Sequence, residues 1–227
     1  MINKFKLIKF KRPNEWLQAR LSCITATSAS SVLGLNKWET ALEVYIRLLT
    51  GKGKVVEESE AMALGRKYEP IARQMFSIKH NEYERVDPPV NNWLITQRRK
   101  KWFGATPDGL LKQDDKFIGG LECKYHLIRG KDDEEAWKSG VLPQQYYIQV
   151  LHTINASERQ FQVYYLVALL EHEKRNEKGE WVFDNIEYRE YKFVTSELRQ
   201  DLDYEEKAMY NFMNEHVTKR KFPTITL

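Results

Sequence analysis

The residues of this chain that could do chemistry concentrate in two short segments, ATPDGL at residues 105–110 and GLECK at residues 120–124. Both segments are typical of the short, Gly-bounded strands of one hairpin, and side chains two positions apart lie on the same face of a strand. We therefore expect Glu122 and Lys124 to point together to one side of the sheet. Asp108 stands where the first strand turns, at an Asp-Gly pair, so it can approach Glu122 across the hairpin.

Two carboxylates and one ammonium group that converge on a sheet edge suit a hard, oxygen-liganded cation such as Mg²⁺ or Mn²⁺. Asp108 and Glu122 would hold the metal, the metal would lower the pKa of a bound water, and Lys124 would orient or deprotonate that water beside a phosphate. A plainer interpretation stays open on these residues alone. It is a surface ion pair between Glu122 and Lys124 beside an ordinary Asp-Gly turn, because short charged patterns are common.

The composition indicates a folded chain with a sizeable core, since 42% of its 227 residues are hydrophobic and 12% are aromatic. Lys and Arg number 36 against 32 Asp and Glu, so the net charge is only +4 and a polyanion would have to be bound by local basic patches. Basic runs lie within residues 4–12, 98–101 and 219–221. The two distant cysteines exclude a zinc ribbon and a cysteine-ligated iron–sulfur cluster, and the five histidines show no metal-ligand spacing.

The amino-terminal stretch interrupts its apolar residues with Lys at every second or third position, so we expect no secretion signal. The longest apolar run, residues 163–170, is far too short to cross a bilayer. We therefore expect a soluble protein that is located in the cytoplasm and makes no membrane contact.

The elements that must position the charged residues follow from hydrophobic spacing. No repeat or linker divides the chain, so we predict a single domain over residues 1–227. Its order is four helices, a hairpin, a helix, two strands and a closing helix, which indicates a mixed sheet flanked by helices. The predicted helices cover residues 14–20, 25–33, 40–49, 57–79, 143–154 and 197–219. The predicted strands cover residues 103–111, 117–125, 161–170 and 181–193.

Apolar spacing also predicts which helix faces are buried, and polar residues predict where helices begin. The third helix is expected to bury Leu42, Tyr45, Ile46 and Leu49. The fourth helix is expected to continue the same period through Met62, Tyr68, Ile71, Ala72, Met75 and Phe76. The expected helix caps are Asn14 for the first helix and Thr195 or Ser196 for the last.

Four blocks, taken in order, resemble the phage lambda exonuclease/YqaJ-like viral recombinase family of the PD-(D/E)xK nuclease superfamily. The blocks are EWLQAR at residues 15–20 followed by ITAT at 24–27; GRKYEP at 65–70 followed by Arg73 and Phe76; PD followed by ExK across the hairpin; and YYIQV at 146–150. Each block is weak alone, but the ordered set is specific. The resemblance implies an α/β, restriction-endonuclease-like fold with a mixed central sheet flanked by helices.

The resemblance implies a catalytic centre with two Mg²⁺ ions, for which Mn²⁺ would substitute. Asp108 would be shared by both ions, with Glu122 and the backbone carbonyl of Cys123 as further ligands, and Lys124 would handle the attacking water. Two more residues complete the implied set: Glu69, at the second metal or its water shell, and Gln149, which helps to position the water.

The resemblance also implies contacts to DNA. Arg20, Thr25 and Thr27 fall where the family holds the 5′-phosphate, and Ser28 is a neighbouring hydroxyl. Without the resemblance, these residues would be a solvated helix face with a Ser/Thr cap. Two outer contacts are implied as well, Lys37 near the template strand and Met62 as an apolar wedge. One departure concerns residues 149–151, which read QVL where the family commonly reads QVQ, so the role of the second Gln is vacant at Leu151.

The expected function is a Mg²⁺-dependent 5′→3′ exonuclease that degrades one strand of linear double-stranded DNA and leaves a 3′ overhang for phage-type recombination. The resemblance further implies a ring-shaped homotrimer and a single-strand annealing protein as partner. Two alternatives are an endonuclease or repair nuclease of the same fold, and a catalytically silent module that binds DNA ends. The 5′-phosphate pocket argues against the first alternative, and the intact carboxylates argue against the second.

Overall fold

The main sheet of the protein has five strands in the order β2-β5-β6-β7-β8. A computed structural model describes residues 5–54, 57–88, 93–137, 141–175, 178 and 181–223. The strands of the main sheet are β2 (Glu84–Val86), β5 (Gly109–Gln113), β6 (Lys116–Ile128), β7 (Val163–Arg175) and β8 (Trp181–Val194). Only β6 and β7 pair in parallel, and the other neighbours are antiparallel. This mixed α/β architecture confirms the predicted fold class.

The predicted hairpin is formed by β5 and β6. Gly109 pairs with Leu121, and the strands are joined through Asp114 and Asp115, whose φ angles of 49° and 58° are left-handed. A two-residue turn of this kind matches the right-handed twist of its strands, and Asp tolerates the left-handed conformation. The hairpin expected from the sequence is therefore present.

A second sheet of three strands, which the sequence did not predict, lies beside the main one. It contains β1 (Lys6–Lys9), β3 (Trp93–Thr96) and β4 (Gly104–Ala105), all antiparallel. The expected strand over residues 103–111 is therefore wrong as one element. It is divided between β4 and β5, and the residues between them carry the chain from one sheet to the other.

The helices are α1 (Pro13–Leu21), α2 (Ala26–Val32), α3 (Ala41–Thr50), α4 (Glu60–Lys79), α5 (Lys131–Ala136), α6 (Gln144–Ala156) and α7 (Arg199–Phe212). A 3₁₀ turn (Thr195–Glu197) precedes α7 and a π-helical segment (Met213–Thr218) follows it, so the predicted closing helix is divided into three pieces. Thr195 and Ser196 do not cap α7, whose N-cap position is Leu198, and α1 begins after Arg12 at Pro13 rather than at Asn14.

The two faces of the main sheet are covered differently. Helix α4 packs Ala72 and Phe76 against a small core that contains Leu121, Cys123 and Tyr165. The opposite face packs against α2, α6 and α7 in a larger core. This arrangement places the two faces of β6 in separate cores.

Several apolar side chains expected in the core are exposed instead. Ile46 and Leu49 of α3, and Met62, Ile71 and Met75 of α4, all keep more than a third of their surface exposed. Among the described residues, no helix is long and apolar enough to cross a membrane.

Candidate active site

Asp108 lies at the point where the chain leaves the small sheet and enters β5. Its Oδ2 accepts a hydrogen bond from the Cys123 backbone N–H at 2.7 Å, so its carboxylate bridges to the neighbouring strand. The preceding residue is held separately, because the Trp93 indole N–H donates to the Pro107 carbonyl at 3.1 Å. Asp108 therefore reaches the site through two contacts that are distant in sequence.

Glu122 and Lys124 lie on one face of β6, as their spacing predicts. The Lys124 ammonium is 2.5 Å from Glu122 Oε1, and the Tyr164 hydroxyl donates to Glu122 Oε2 at 3.4 Å. A side chain at position 120 would obstruct this arrangement, because a Cβ built on Gly120 would lie 2.6 Å from the Tyr164 ring. Glycine at this position therefore lets the buried tyrosine lie over β6 and reach Glu122.

The main chain of Cys123 faces the open end of β5, which is the amino-terminal end, beyond the last residue pair of the hairpin. In an antiparallel hydrogen-bonded pair, one residue directs its N–H and its C=O to the same neighbour, so the Cys123 carbonyl lies on the same side as the N–H that binds Asp108. Extending the register beyond the Gly109–Leu121 pair would bring Pro107 opposite Cys123. Proline has no N–H to donate, so this neighbour cannot satisfy the carbonyl and a cation could use it.

The charges of the site are crowded in a buried place. Burial raises the pKa of Asp108 well above its usual range, and the negative charge of Glu122 raises it further. Burial opposes the charged form of Lys124, but the carboxylates of Glu122 and Asp108 outweigh that effect and raise its pKa. The ammonium group is therefore held in its charged form between the carboxylates.

Glu69 reaches the same cluster from α4. Burial raises its pKa, the guanidinium of Arg73 opposes that shift, and Glu122 adds repulsion. Arg73 Nη2 lies 2.9 Å from Glu69 Oε1, and Arg73 Nη1 donates to the Asp108 carbonyl at 3.3 Å. Three carboxylates therefore share one electrostatic neighbourhood.

The donor set fits a hard divalent cation. Within the described ranges, no three His, Cys, Asp or Glu side chains are arranged as a ready-made metal cage. Mg²⁺ does not require one, because it is usually bound by one or two carboxylates together with waters and substrate phosphates. Asp108, Glu122 and the Cys123 carbonyl could supply oxygen ligands of this kind, and the mutual repulsion of the two carboxylates is what a cation would relieve.

The residues predicted to hold a 5′-phosphate lie at the start of α2 and the end of α1. Arg20 stacks on the Trp16 ring at 4.6 Å. Burial lowers the pKa of Arg20 and the charge of Arg47 lowers it further, while Glu122 opposes the shift. Arg20 thus lies within electrostatic reach of the carboxylates.

The three hydroxyl groups of this set differ in exposure. Thr25 caps α2 by accepting from the Ser28 N–H at 3.3 Å, and the two hydroxyl groups are 3.0 Å apart. Both are buried, whereas Thr27 is exposed. The Ser28 hydroxyl also accepts from Arg47 Nη2 at 2.7 Å, so it is already engaged within the protein.

The remaining predicted residues lie outside the contacts described above. Gln149 is buried on α6, three positions from Tyr146, whose ring lies 5.6 Å from the Lys124 ammonium. Leu151 is a core residue, so the vacant position of the QVL motif faces the core. Lys37 and Met62 are exposed, on the loop before α3 and in the first turn of α4.

Comparison with known proteins shows the family of the chain. Residues 15–160, more than half of the chain, match the family model of the YqaJ-like viral recombinase domain. The chain belongs to this family. The family assignment expected from the sequence blocks is thereby confirmed.

Relatives of this YqaJ-like chain include an uncharacterized protein, YqaJ, of Bacillus subtilis (strain 168), which is 28% identical over 226 residues. The alignment covers 93% of this chain and 59% of that relative, so the chain spans little more than half of its length. Among solved structures, LHK-Exo in complex with dAMP has a TM-score of 0.61 and 22% identity, over 89% of this chain and 93% of that one. An alkaline exonuclease (LHK-Exo) from Laribacter hongkongensis has a TM-score of 0.57 and 22% identity, over 91% and 96%. At this level of identity, the structural likeness supports the fold.

Three residues of this YqaJ-like site were missed from the sequence. Trp93 holds Pro107 through its indole and accepts from Trp16 at 2.9 Å through its carbonyl, yet it lies in a four-residue strand with no distinctive pattern. Tyr164 is inside a continuous apolar run, where a hydroxyl is easily overlooked. Arg47 had a usable signal, because it lies three positions after Val44, on the buried side of α3.

Proposed function

We propose that this protein is a Mg²⁺-dependent 5′→3′ exonuclease, a single catalytic domain that degrades one strand of linear double-stranded DNA and leaves a 3′ overhang for homologous recombination. The observation that carries the proposal is the convergence of Asp108, Glu122 and Lys124 at the open end of β5, in a chain of a viral recombinase family. The family described for residues 15–160 supports an action on DNA in recombination. The names of the similar solved structures, an exonuclease and its complex with dAMP, are consistent with release of 5′-mononucleotides.

Two Mg²⁺ ions, or Mn²⁺ in their place, would lower the pKa of a bound water and neutralise charge on the phosphate. Asp108 would be shared between them, and Glu122 and the Cys123 carbonyl would complete the oxygen donors. Glu69 would act at the second ion, directly or through its water. The crowding of these carboxylates in a buried site supports this assignment, because their mutual repulsion, which Lys124 and Arg73 oppose, is what a cation would relieve.

In the proposed reaction, a water oxygen forms a bond to phosphorus as the P–O3′ bond breaks. The departing 3′ oxygen takes up a proton, so a 5′-mononucleotide leaves and the next nucleotide keeps a 5′-phosphate. Lys124 would orient the water or donate to a phosphate oxygen, because its neighbours hold its ammonium in the charged form and it is a poor proton acceptor. Gln149 would help to position the same water.

Strand choice would follow from a fixed 5′-phosphate. Arg20 would contact the phosphate through a charge-assisted pair, with the hydroxyl groups of Thr25, Thr27 and Ser28 beside it. Because Thr27 is the exposed hydroxyl, we assign it the direct contact. The outer contacts to the duplex would be Lys37, near the template strand, and Met62, as a wedge at the last base pairs.

The decisive experiment is digestion of linear duplex DNA that carries a label at the 5′ or the 3′ end, with Mg²⁺ present. The wild type should release mononucleotides from the 5′ end. Asp108→Asn should reduce cleavage by several orders of magnitude while the protein still binds DNA ends, because Asn cannot supply the shared negative charge. Asp115→Asn is the matched control, since its side chain is 99% exposed in the β5–β6 turn, and it should cleave at the wild-type rate.

Three other outcomes would each contradict part of the proposal. Digestion from internal positions would favour an endonuclease of the same fold. End binding without cleavage by the wild type would favour a silent binding module. An Asp108→Asn variant that retains a tenth of the wild-type rate would refute the metal-ligand role.

We propose a homotrimer as the working assembly, located in the cytoplasm with a single-strand annealing protein as partner. A net charge of +4 gives a single subunit little long-range attraction for DNA. A closed ring around the duplex would keep the enzyme on its substrate instead. Light scattering should give a trimer mass, and digestion should continue after excess competitor DNA is added. A monomer mass with distributive digestion would refute the ring and leave the chemistry untouched.

A further inference from the structure

The guanidinium group of Arg73 joins two parts of the candidate site that are far apart in sequence. Nη2 lies 2.9 Å from the Glu69 carboxylate on α4, and Nη1 donates to the main-chain carbonyl of Asp108 at 3.3 Å. One planar group therefore fixes a helix carboxylate relative to the turn that carries the central carboxylate. The GRKYEP block draws attention to Glu69, but the proposed function gives Arg73 no role.

Burial and a second arginine fix Arg73 in place. Its side chain is only 15% exposed. The Arg85 guanidinium donates to the Arg73 carbonyl and to Ser77 Oγ, and it also pairs with Asp87 at 2.7 and 2.9 Å. The backbone of α4 beside Arg73 is thus bound to β2 and to the loop after it.

The contacts of Arg73 differ from those of an ordinary ion pair on a helix surface. A Glu and an Arg four positions apart on a helix surface contribute little stability and need no other partner. Arg73 instead leaves its Nε buried without a hydrogen-bond partner while Nη1 and Nη2 bind Asp108 and Glu69. A buried donor without a partner costs stability, which indicates that this orientation serves the site rather than the helix.

We propose that Arg73 is a positioning residue, which holds Glu69 and the Asp108 turn in the relative placement that cation binding requires. This inference rests on the proposed function. The geometry of guanidinium is essential to it, because a lysine ammonium is a point charge that does not span two acceptors in a fixed plane.

The test measures cation binding directly, by isothermal titration calorimetry of the full chain with Mg²⁺ and with Mn²⁺. Arg73→Gln should weaken cation affinity about 10- to 100-fold, the range found when a residue that orients a metal ligand is removed. Arg73→Lys should restore only part of the loss. Arg66→Gln is the matched control, since Arg66 also lies on α4 and pairs with Glu58, but its side chain is 63% exposed. The control should bind cations like the wild type.

A double variant distinguishes positioning from a general loss of positive charge. If Arg73 acts through Glu69, the losses of cation affinity in Arg73→Gln and Glu69→Gln should not add. The double variant should bind cations nearly as tightly as Glu69→Gln alone, and the small difference in affinity should be the part that Arg73 contributes through its contact with Asp108. Fully additive losses would overturn the proposal. Unchanged cation affinity in Arg73→Gln would overturn it as well.

The outcomes also separate this inference from the proposed function. If the wild type binds neither cation, the proposed metal centre fails. If the wild type binds and Arg73→Gln binds equally, only the role of Arg73 fails. Urea unfolding of each variant shows whether it is folded, and where Arg73→Gln does not fold, Arg73→Lys decides. A folded Lys variant with wild-type affinity overturns the proposal, and one with weakened affinity supports it.

Discussion

Replacing Asp108 by asparagine should make the cation-free protein more stable, although it should greatly reduce the proposed cleavage. Burial and the neighbouring charge of Glu122 both raise the pKa of Asp108, so its ionised form opposes folding. The sign follows from linkage. An acid whose pKa is higher in the folded state stabilises the fold below its unfolded pKa, about 3.9 for Asp, and loses that contribution as the pH rises through the folded pKa. At neutral pH, asparagine removes this cost.

Comparing asparagine with alanine at position 108 separates the effect of the charge on stability from the effect of the hydrogen bond. The Asp108 carboxylate accepts from the Cys123 N–H at 2.7 Å, and an asparagine carbonyl can accept the same bond. Alanine leaves that N–H unpaired, which costs about 1–3 kcal/mol. Asp108→Ala should therefore unfold about 1–3 kcal/mol more easily than Asp108→Asn. At roughly 2–4 °C per kcal/mol for a chain of this size, the difference in Tm is about 2–12 °C.

Urea and thermal unfolding in the presence of a chelator test this reasoning, with Asp115→Asn as the exposed control. At pH 7, the Asp108→Asn variant should be more stable than both the wild type and the Asp108→Ala variant. The advantage of Asp108→Asn over the wild type should shrink as the pH falls toward 4. An excess of Mg²⁺ should raise the Tm of the wild type and leave that of Asp108→Asn unchanged. A wild type that is more stable than Asp108→Asn without cation would refute the electrostatic argument.

Two further predictions concern the surroundings of the site. Arg20→Ala should lose about 10- to 100-fold of the kcat/KM preference for 5′-phosphorylated over 5′-hydroxyl ends, since hydrogen bonds to charged groups are worth about 1.5–3 kcal/mol. Arg12→Ala, at the exposed N-cap position of the same helix, should keep the preference, and an unchanged Arg20→Ala would refute the pocket. Glu205→Ala should destabilise the fold by about 3–5 kcal/mol in urea unfolding, because Glu205 is fully buried and binds His152 Nδ1 and Asn155 Nδ2, both at 2.7 Å. Glu215→Ala removes one partner of an exposed ion pair and should change stability by less than about 0.5 kcal/mol. An equal loss of stability in Glu205→Ala and Glu215→Ala would contradict the buried-network argument.

Strand spacing predicted the central pair of the site because its physical basis is local. Glu122 and Lys124 lie together since alternate side chains share a face, and the hairpin turn is formed by residues next to each other in the chain. Leu121, which precedes Glu122, and Cys123, which lies between Glu122 and Lys124, belong to the core on the opposite face of the sheet, as alternation requires. Local rules also account for the caps at Thr25, which accepts from the Ser28 N–H, and at Gly51, which is left-handed.

The parts that sequence reasoning missed depend on distant partners. Trp93 and Pro107 meet because β3 belongs to the small sheet and β4 lies beside it, and neither strand is long enough to give a periodic signal. On α4, apolar residues on two sides of the helix share the same 3.6-residue period. Of the residues of α4, Ala72 and Phe76 are the buried ones, and composition does not distinguish them from the exposed Met75.

The charges of the carboxylates in this site oppose folding, whereas neighbouring groups hold the carboxylates in position. The charges of Asp108, Glu122 and Glu69 oppose one another in a buried place and so oppose folding, and in the proposed function they would serve cation and phosphate chemistry. The positions of Asp108 and Glu122 are held by groups that do not depend on a cation: the Cys123 N–H, the Trp93 indole acting on the carbonyl next to Asp108, and the Tyr164 hydroxyl. Because these neutral donors are fixed by the two sheets, the carboxylates stay together when no cation is bound. If the proposed function holds, such a site would be ready for a cation before the cation arrives, and its electrostatic cost in the free protein would be the source of the cation affinity.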